Sequence, residues 1–166
     1  MTERPRAEAR VRTASERPHV LIVSSDQGLT EFLGEGLMVA GFWTSTVGSA
    51  VQVLEVFRLR GFDLVLVDAA LGGIGAVELV RRLRGLSDRA AGDQPRADVP
   101  IAFIAADPSE IASDVAIAAG AEAVLYAPLE VEDLAPRLHR LVLDWRADHP
   151  DRPYADQVAQ LRQGDA

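Results

Sequence analysis

Asp68 is the residue best placed to do chemistry. It closes Phe62-Asp63-Leu64-Val65-Leu66-Val67, the most apolar run in the chain, and precedes a glycine-rich stretch, Leu71 to Gly75. A carboxylate at the end of a buried strand can accept a transferred group, ligate a hard cation, or do no more than accept hydrogen bonds. A second cluster, Ser24-Ser25-Asp26, closes the apolar run His19 to Val23. Its hydroxyls can orient a neighbouring carboxylate, and Ser25 or Asp26 can cap a following helix. The stretch Ser25-Asp26-Gln27-Gly28-Leu29-Thr30 also has the outline of a loop that cradles a small anionic cofactor, although Asp26 puts negative charge where the anion would sit. Asp68-Ala69-Ala70 lacks the second acid that an aspartyl-phosphate hydrolase places two residues on as general acid. His19, His139 and His149 are too dispersed for a metal site or a triad.

Composition excludes more than any motif. All 17 basic residues are Arg, and Lys, Asn and Cys are absent from the 166 residues. There is therefore no phosphate-loop lysine, Schiff base, thiol nucleophile or thiolate metal site, and no cofactor is expected. Residues 19–144 hold nine Arg against 18 acids, which opposes a nucleic-acid footprint on the main body. The longest uncharged stretch, Gly36 to Leu54, is too rich in Gly, Ser and Thr to cross a membrane. The first 18 residues carry five Arg and three Glu without an apolar segment, so no secretory signal is expected and the protein is read as cytoplasmic.

The elements that must position Asp68 and Ser24 follow from periodicity. Short apolar runs alternate with helical spacing five times, as βα units on a parallel sheet do. After His19–Val23, Leu29, Phe32, Leu33 and Leu37 mark a helix ended by Gly41. Phe42–Val47 and a helix over 49–60 follow, stopped by Gly61. Phe62–Val67 leads to the helix of Val77, Val80 and Leu83. Ile101–Ile104 leads to a helix over 109–119 that Gly120 terminates. Ala123–Tyr126 is the fifth strand. Leu134, Leu138, Leu141, Val142 and Trp145 form the stripe of a last helix in which Pro136 predicts a local kink. Residues 1–18 read as a disordered leader, 19–145 as the domain with 85–99 as a surface loop, and 146–166 as a tail. Tyr154, Val158 and Leu161 suggest a short helix over 154–163 in that tail. Such doubly wound folds gather their ligands outside the carboxyl ends of the strands, where Ser24, Ser25, Asp26, Asp68, Ala105, Tyr126 and Ala127 fall. Arg81, Arg82 and Arg84 read as a solvated basic face.

These residues carry a resemblance. His19-Val20-Leu21-Ile22-Val23, Phe62 through Asp68, Pro100-Ile101, Gly120-Ala121-Glu122-Ala123, Ala127-Pro128-Leu129 and Glu132-Asp133-Leu134 stand in the order and spacing of a receiver domain's motifs. Over roughly three quarters of its length by count of matching elements, the chain resembles the response-regulator receiver domain of the CheY-like superfamily, in a degenerate, pseudo-receiver form. The resemblance implies a flavodoxin-like three-layer α/β sandwich, five parallel strands in the order 2-1-3-4-5 with five helices. It makes Asp68 the vestigial phosphoacceptor and Pro128 a candidate cis-proline. The family's acidic pair corresponds to Ser24 and Ser25, beside Asp26. Its hydroxyl, its switch aromatic and its lysine correspond to Ala105, Val124 and Ala127. It implies a non-enzymatic module of two-component signalling whose partner is a sensor kinase or downstream effector. Homodimerisation through the fourth helix, fifth strand and fifth helix is implied too, with Ile111, Val115, Ile117 and Tyr126 as candidate interface. Two other readings stay open: weak phosphorylation of Asp68, and anionic-cofactor binding through Ser25–Thr30.

Overall fold

Alternating apolar side chains on five short strands require cover on both faces, and the chain supplies it with helices. The computed structural model describes residues 17–88, 95–151 and 155. The elements run β1 His19–Val23, α1 Gln27–Val39, β2 Trp43–Val47, α2 Ala50–Leu59, β3 Leu64–Asp68, α3 Ala76–Leu83, β4 Ile101–Ala105, α4 Ser113–Ala119, β5 Ala123–Tyr126 and α5 Val131–Asp148. The strands form one parallel sheet in the order β2-β1-β3-β4-β5. Residues 1–16 of the expected leader, 89–94 of the expected surface loop, and the expected tail helix apart from Ala155 lie outside the described residues.

The period-2 alternation of strands divides the core in two. Leu21, Val23, Val65, Val67, Ile101 and Phe103 face α2, α3 and α4. Val20, Ile22, Leu64, Leu66, Ala102 and Ile104 face α1 and α5, where Leu33, Leu37, Leu134, Leu138 and Val142 meet them. Each large side chain withdrawn from water this way contributes roughly 1.5–3 kcal/mol. α1 and α5 approach so closely at Gly36 that a Cβ there would stand 2.5 Å from Val131 Cγ2.

Several boundaries differ from the sequence expectation. β2 starts at Trp43 rather than Phe42, and β3 at Leu64 rather than Phe62. α2 ends at Leu59 on an extended Arg60, so Gly61 is not its left-handed cap. α4 starts at Ser113 rather than Ser109. The Asp107 carboxylate accepts hydrogen bonds from both the backbone N–H (2.8 Å) and the hydroxyl of Ser109, and the Glu110 amide donates to Asp107 O (3.1 Å). That local turn competes with helix for the same backbone groups. As expected of a proline in the first two turns, Pro136 does not break α5.

Arg84 is not on a solvated face. It leaves α3 and reaches under the sheet, donating from Nε to Gly120 O (2.9 Å), from Nη1 to Ala97 O, and from Nη2 to both Glu122 carboxylate oxygens (3.1 and 2.9 Å). Glu122 Oε2 also accepts the Ile101 amide at 2.6 Å. The Arg84 guanidinium lies 5.1 Å from the centre of the Trp145 ring, which stacks on His149. Gly120, at φ +111°, ends α4, and a Cβ on it would strike Arg84 Cγ at 2.4 Å.

Burial pushes Glu122 above the ordinary carboxylate range and Arg84 below its usual value, in each case outweighing the attraction between them. Arg84→Met therefore leaves a half-buried carboxylate without its counter-charge. The expected loss is about 2 kcal/mol in urea unfolding, discounted for partial exposure, with part of it recovered in Arg84→Met/Glu122→Gln. With Glu122 raised in the fold, the native state holds a proton that the unfolded chain releases. Stability should fall as pH rises from the unfolded carboxylate value through the raised one, and Glu122→Gln should flatten that slope.

Candidate functional site

Parallel strands that end together bring their carboxyl-terminal residues to one crevice, and β1 and β3 are neighbours there. Ser24 and Asp68 lie 44 residues apart in sequence, and the Ser24 hydroxyl donates to Asp68 Oδ2 at 2.6 Å. Both are buried, at 3% and 8% exposure. The Ala70 amide donates to Asp68 Oδ1 at 3.0 Å, and the Asp26 amide donates to Ser24 Oγ at 3.0 Å. Ser24 is thus spent twice, as donor to the carboxylate and as acceptor from the backbone. Neither the Arg82–Glu78 nor the Arg84–Glu122 ion pair includes Asp68.

Asp26 turns from the crevice. Its carboxylate caps α1 by accepting the Leu29 amide at 3.2 Å, and the Thr30 hydroxyl donates to Gln27 O at 3.0 Å. The helix N-terminus that an anionic cofactor would use therefore already carries a carboxylate of the chain itself. Ser25 is exposed, and no hydrogen bond ties it to Asp68.

A divalent cation of the receiver type needs several oxygen ligands, most of them carboxylates. The crevice offers one carboxylate already hydrogen-bonded twice, one committed to helix capping, and two serines. Among the described residues, no group of three or more His, Cys, Asp or Glu could hold a metal ion. The residues present do not fit the group.

The remaining positions are placed as the spacing required, without the polar atoms. Ala105 ends β4, buried, and its carbonyl accepts the Ala127 amide at 2.9 Å. Ala127 is exposed, and its peptide bond to Pro128 is cis. Val124 lies in the core on the α2–α3–α4 side of the sheet. Tyr126, at the end of β5, donates its hydroxyl to Ile111 O at 2.7 Å and so ties β5 to the loop before α4.

Ile111 is a correction to the candidate interface. It precedes α4 and is buried at 6% exposure, because the Asp107 turn and the Tyr126 bond draw that loop onto the core. Val115 and Ile117, on α4 itself, are 48% and 57% exposed. Three structurally committed residues escaped the sequence reading: Arg84, Glu122 and Asp63. The signal for Asp63 is an acid standing inside the otherwise apolar run Phe62–Val67.

The arrangement can hold a carboxylate rigidly and present it to hydrogen-bond donors. Ser24→Ala strips one donor from buried Asp68 and one acceptor from the Asp26 amide. The expected cost is about 1–3 kcal/mol in denaturant unfolding. Asp68→Asn keeps the size but turns an NH2 toward either the Ser24 hydroxyl or the Ala70 amide, and a loss comparable to that of Ser24→Ala is expected in the same assay.

No family model matches the chain. It is 30% identical over 141 residues to the sensory transduction protein RegX3 of Mycolicibacterium smegmatis, which covers 85% of this chain and 57% of that protein. It is 26% identical over 135 residues to the response regulator MprA of Mycobacterium sp. (strain KMS), covering 81% of this chain and 55% of that one. The chain thus spans little more than half the length of these curated relatives. Among solved structures, the CheY-like response regulator receiver domain protein from Methanospirillum hungatei JF-1 superposes with a TM-score of 0.67 at 19% identity, over 79% of this chain and 98% of that one. The chain is thus a homologue of response regulators, and its β2-β1-β3-β4-β5 sheet is the fold of CheY-like receiver domains.

Proposed function

We propose that this receiver domain works as a protein-interaction module without magnesium-dependent phosphorylation of Asp68. The observation that carries the reading is the Ser24 hydroxyl on Asp68 Oδ2, at the position where the family has acid. Phosphoryl transfer to a carboxylate builds charge on the equatorial oxygens, and catalysis of it rests on cations placed around them. Ala105 and Ala127 bring neither hydroxyl nor ammonium, and Val124 has no ring to couple to the site. The bond from Tyr126 to Ile111 holds the loop before α4 against β5 with no phosphoryl group present.

By analogy with its relatives, the partner is a sensor kinase or a downstream effector, and the module itself is not an enzyme. A homodimer through α4, β5 and α5 belongs to the same reading, with exposed Val115 and Ile117 at its centre. Among the described residues, no helix is long and apolar enough to cross a membrane, in keeping with a cytoplasmic place of action.

Incubation of the full chain with acetyl phosphate and magnesium, followed by intact-mass measurement, tests the reading. The native chain should stay unmodified. Ser24→Asp/Ser25→Asp/Ala105→Thr/Ala127→Lys, which restores the cage and the cation, should gain a phosphoryl group that Asp68→Asn abolishes. Efficient phosphorylation of the native chain at Asp68 overturns the proposal. Sedimentation equilibrium addresses the dimer: a native dimer that Val115→Glu/Ile117→Glu converts to monomer is expected, and a native chain that stays monomeric at high concentration removes that part.

A further inference from the structure

The end of the sheet opposite Asp68 holds a second buried carboxylate that the proposed function does not use. Asp63, 6% exposed, lies just before β3. Its Oδ2 accepts the His19 amide at 2.7 Å, and its own amide donates to His19 O at 2.8 Å. Its Oδ1 accepts the amide of Ala155 at 3.0 Å, across 92 residues of sequence. Ala155 is helical and buried at 7% exposure, and it approaches Gly61 so closely that a Cβ there would stand 3.7 Å from its own. Beside Asp63, the Phe62 ring meets His19 at 4.9 Å and Phe57 at 5.4 Å, an aromatic group at the foot of β1, β3 and α2.

A buried alanine whose amide is taken by a buried carboxylate fixes where the tail touches the domain. The sequence around it says what kind of segment follows. Pro153 and Gly164 bracket a helix-length stretch in the favoured places for a start and an end, and Val158 and Leu161 follow Ala155 at three-residue intervals, on one helical face. The first amides of a helix have no partner within it, and a carboxylate there is favoured by the dipole as well. Asp63 meets both conditions from another part of the chain.

We propose that the foot of the sheet is a docking surface for the chain's own C-terminal segment. In this proposal residues 155–163 form a sixth helix, capped in trans by Asp63, that lays Val158 and Leu161 against the Phe57–Phe62–His19 group. The occupant is this segment of the same molecule, and Ala155 is its described point of contact. The docked helix sits at the end remote from Ser24 and Asp68, so a partner that reads the crevice leaves it in place.

Hydrogen exchange and limited trypsin digestion of the full chain test this. The Ala155 amide should exchange at least about 100-fold slower than in a free peptide, and cleavage after Arg162 should be at least about tenfold slower than in Val158→Asp/Leu161→Asp. Asp63→Ala should also release Ala155. Should that variant fail to fold because His19 loses its acceptor, the Val158→Asp/Leu161→Asp comparison decides alone. Peptide-like exchange at Ala155, with equal cleavage of native and variant chains, overturns the proposal. Protection that disappears on dilution, in step with dissociation of a dimer by sedimentation, overturns it as well, since the occupant is then a second copy's tail. Neither readout depends on whether Asp68 accepts phosphate.

Discussion

A carboxylate taken out of water must be met by donors or by positive charge, and Asp68 is met by donors. The Ser24 hydroxyl and the Ala70 amide occupy the two oxygens. Every other property of the crevice is consistent with that choice. A hydroxyl at 2.6 Å satisfies the carboxylate without a cation, and it asks for no cage of acids around a metal. Asp26 serves α1 as its cap. Short, apolar Ala105 and Ala127 then leave no polar atom stranded at the ends of β4 and β5.

Charge has its structural weight at the other end of the sheet. Asp63 accepts the first amide of β1, and Glu122 accepts the first amide of β4. In a parallel sheet the opening residues of a strand lack part of their ladder, and a side-chain acceptor from a neighbouring segment completes it. Asp63 links β1 to the tail at Ala155. Glu122 links β4 to Arg84, and through it to α3, the α4 cap and Trp145. The two devices bind at the foot of the sheet what helix packing holds along its faces.

Much of the fold was legible because burial on both faces writes itself into composition. The runs His19–Val23, Phe62–Val67 and Ile101–Ile104 carry almost no polar residue, and each became a central strand. Boundaries were less legible where a side chain competes with the backbone. The Asp107–Ser109 turn removed the first turn expected of α4, and with it the premise that Ile111 belongs to a helix at all. Arg84 was unreadable for another reason. In sequence it is one of three clustered arginines, and only the crossing of α3 over the foot of β4 and β5 separates it from Arg81 and Arg82.

From residue types and spacing alone came the five βα units, the placing of Ser24–Asp26 and Asp68 at one end of the sheet, and the absence of lysine from the chain. Those are matters of which atoms exist and which strand carries them, and covalent order settles both. Tertiary structure alone decided how the polar atoms are spent. The Ser24 hydroxyl donates to Asp68, the Arg84 guanidinium to Glu122, and the Ala155 amide to Asp63. Each of these bonds joins groups from 38 to 92 residues apart, and each holds only over a few tenths of an ångström. No local pattern specifies such distances before the layers have closed.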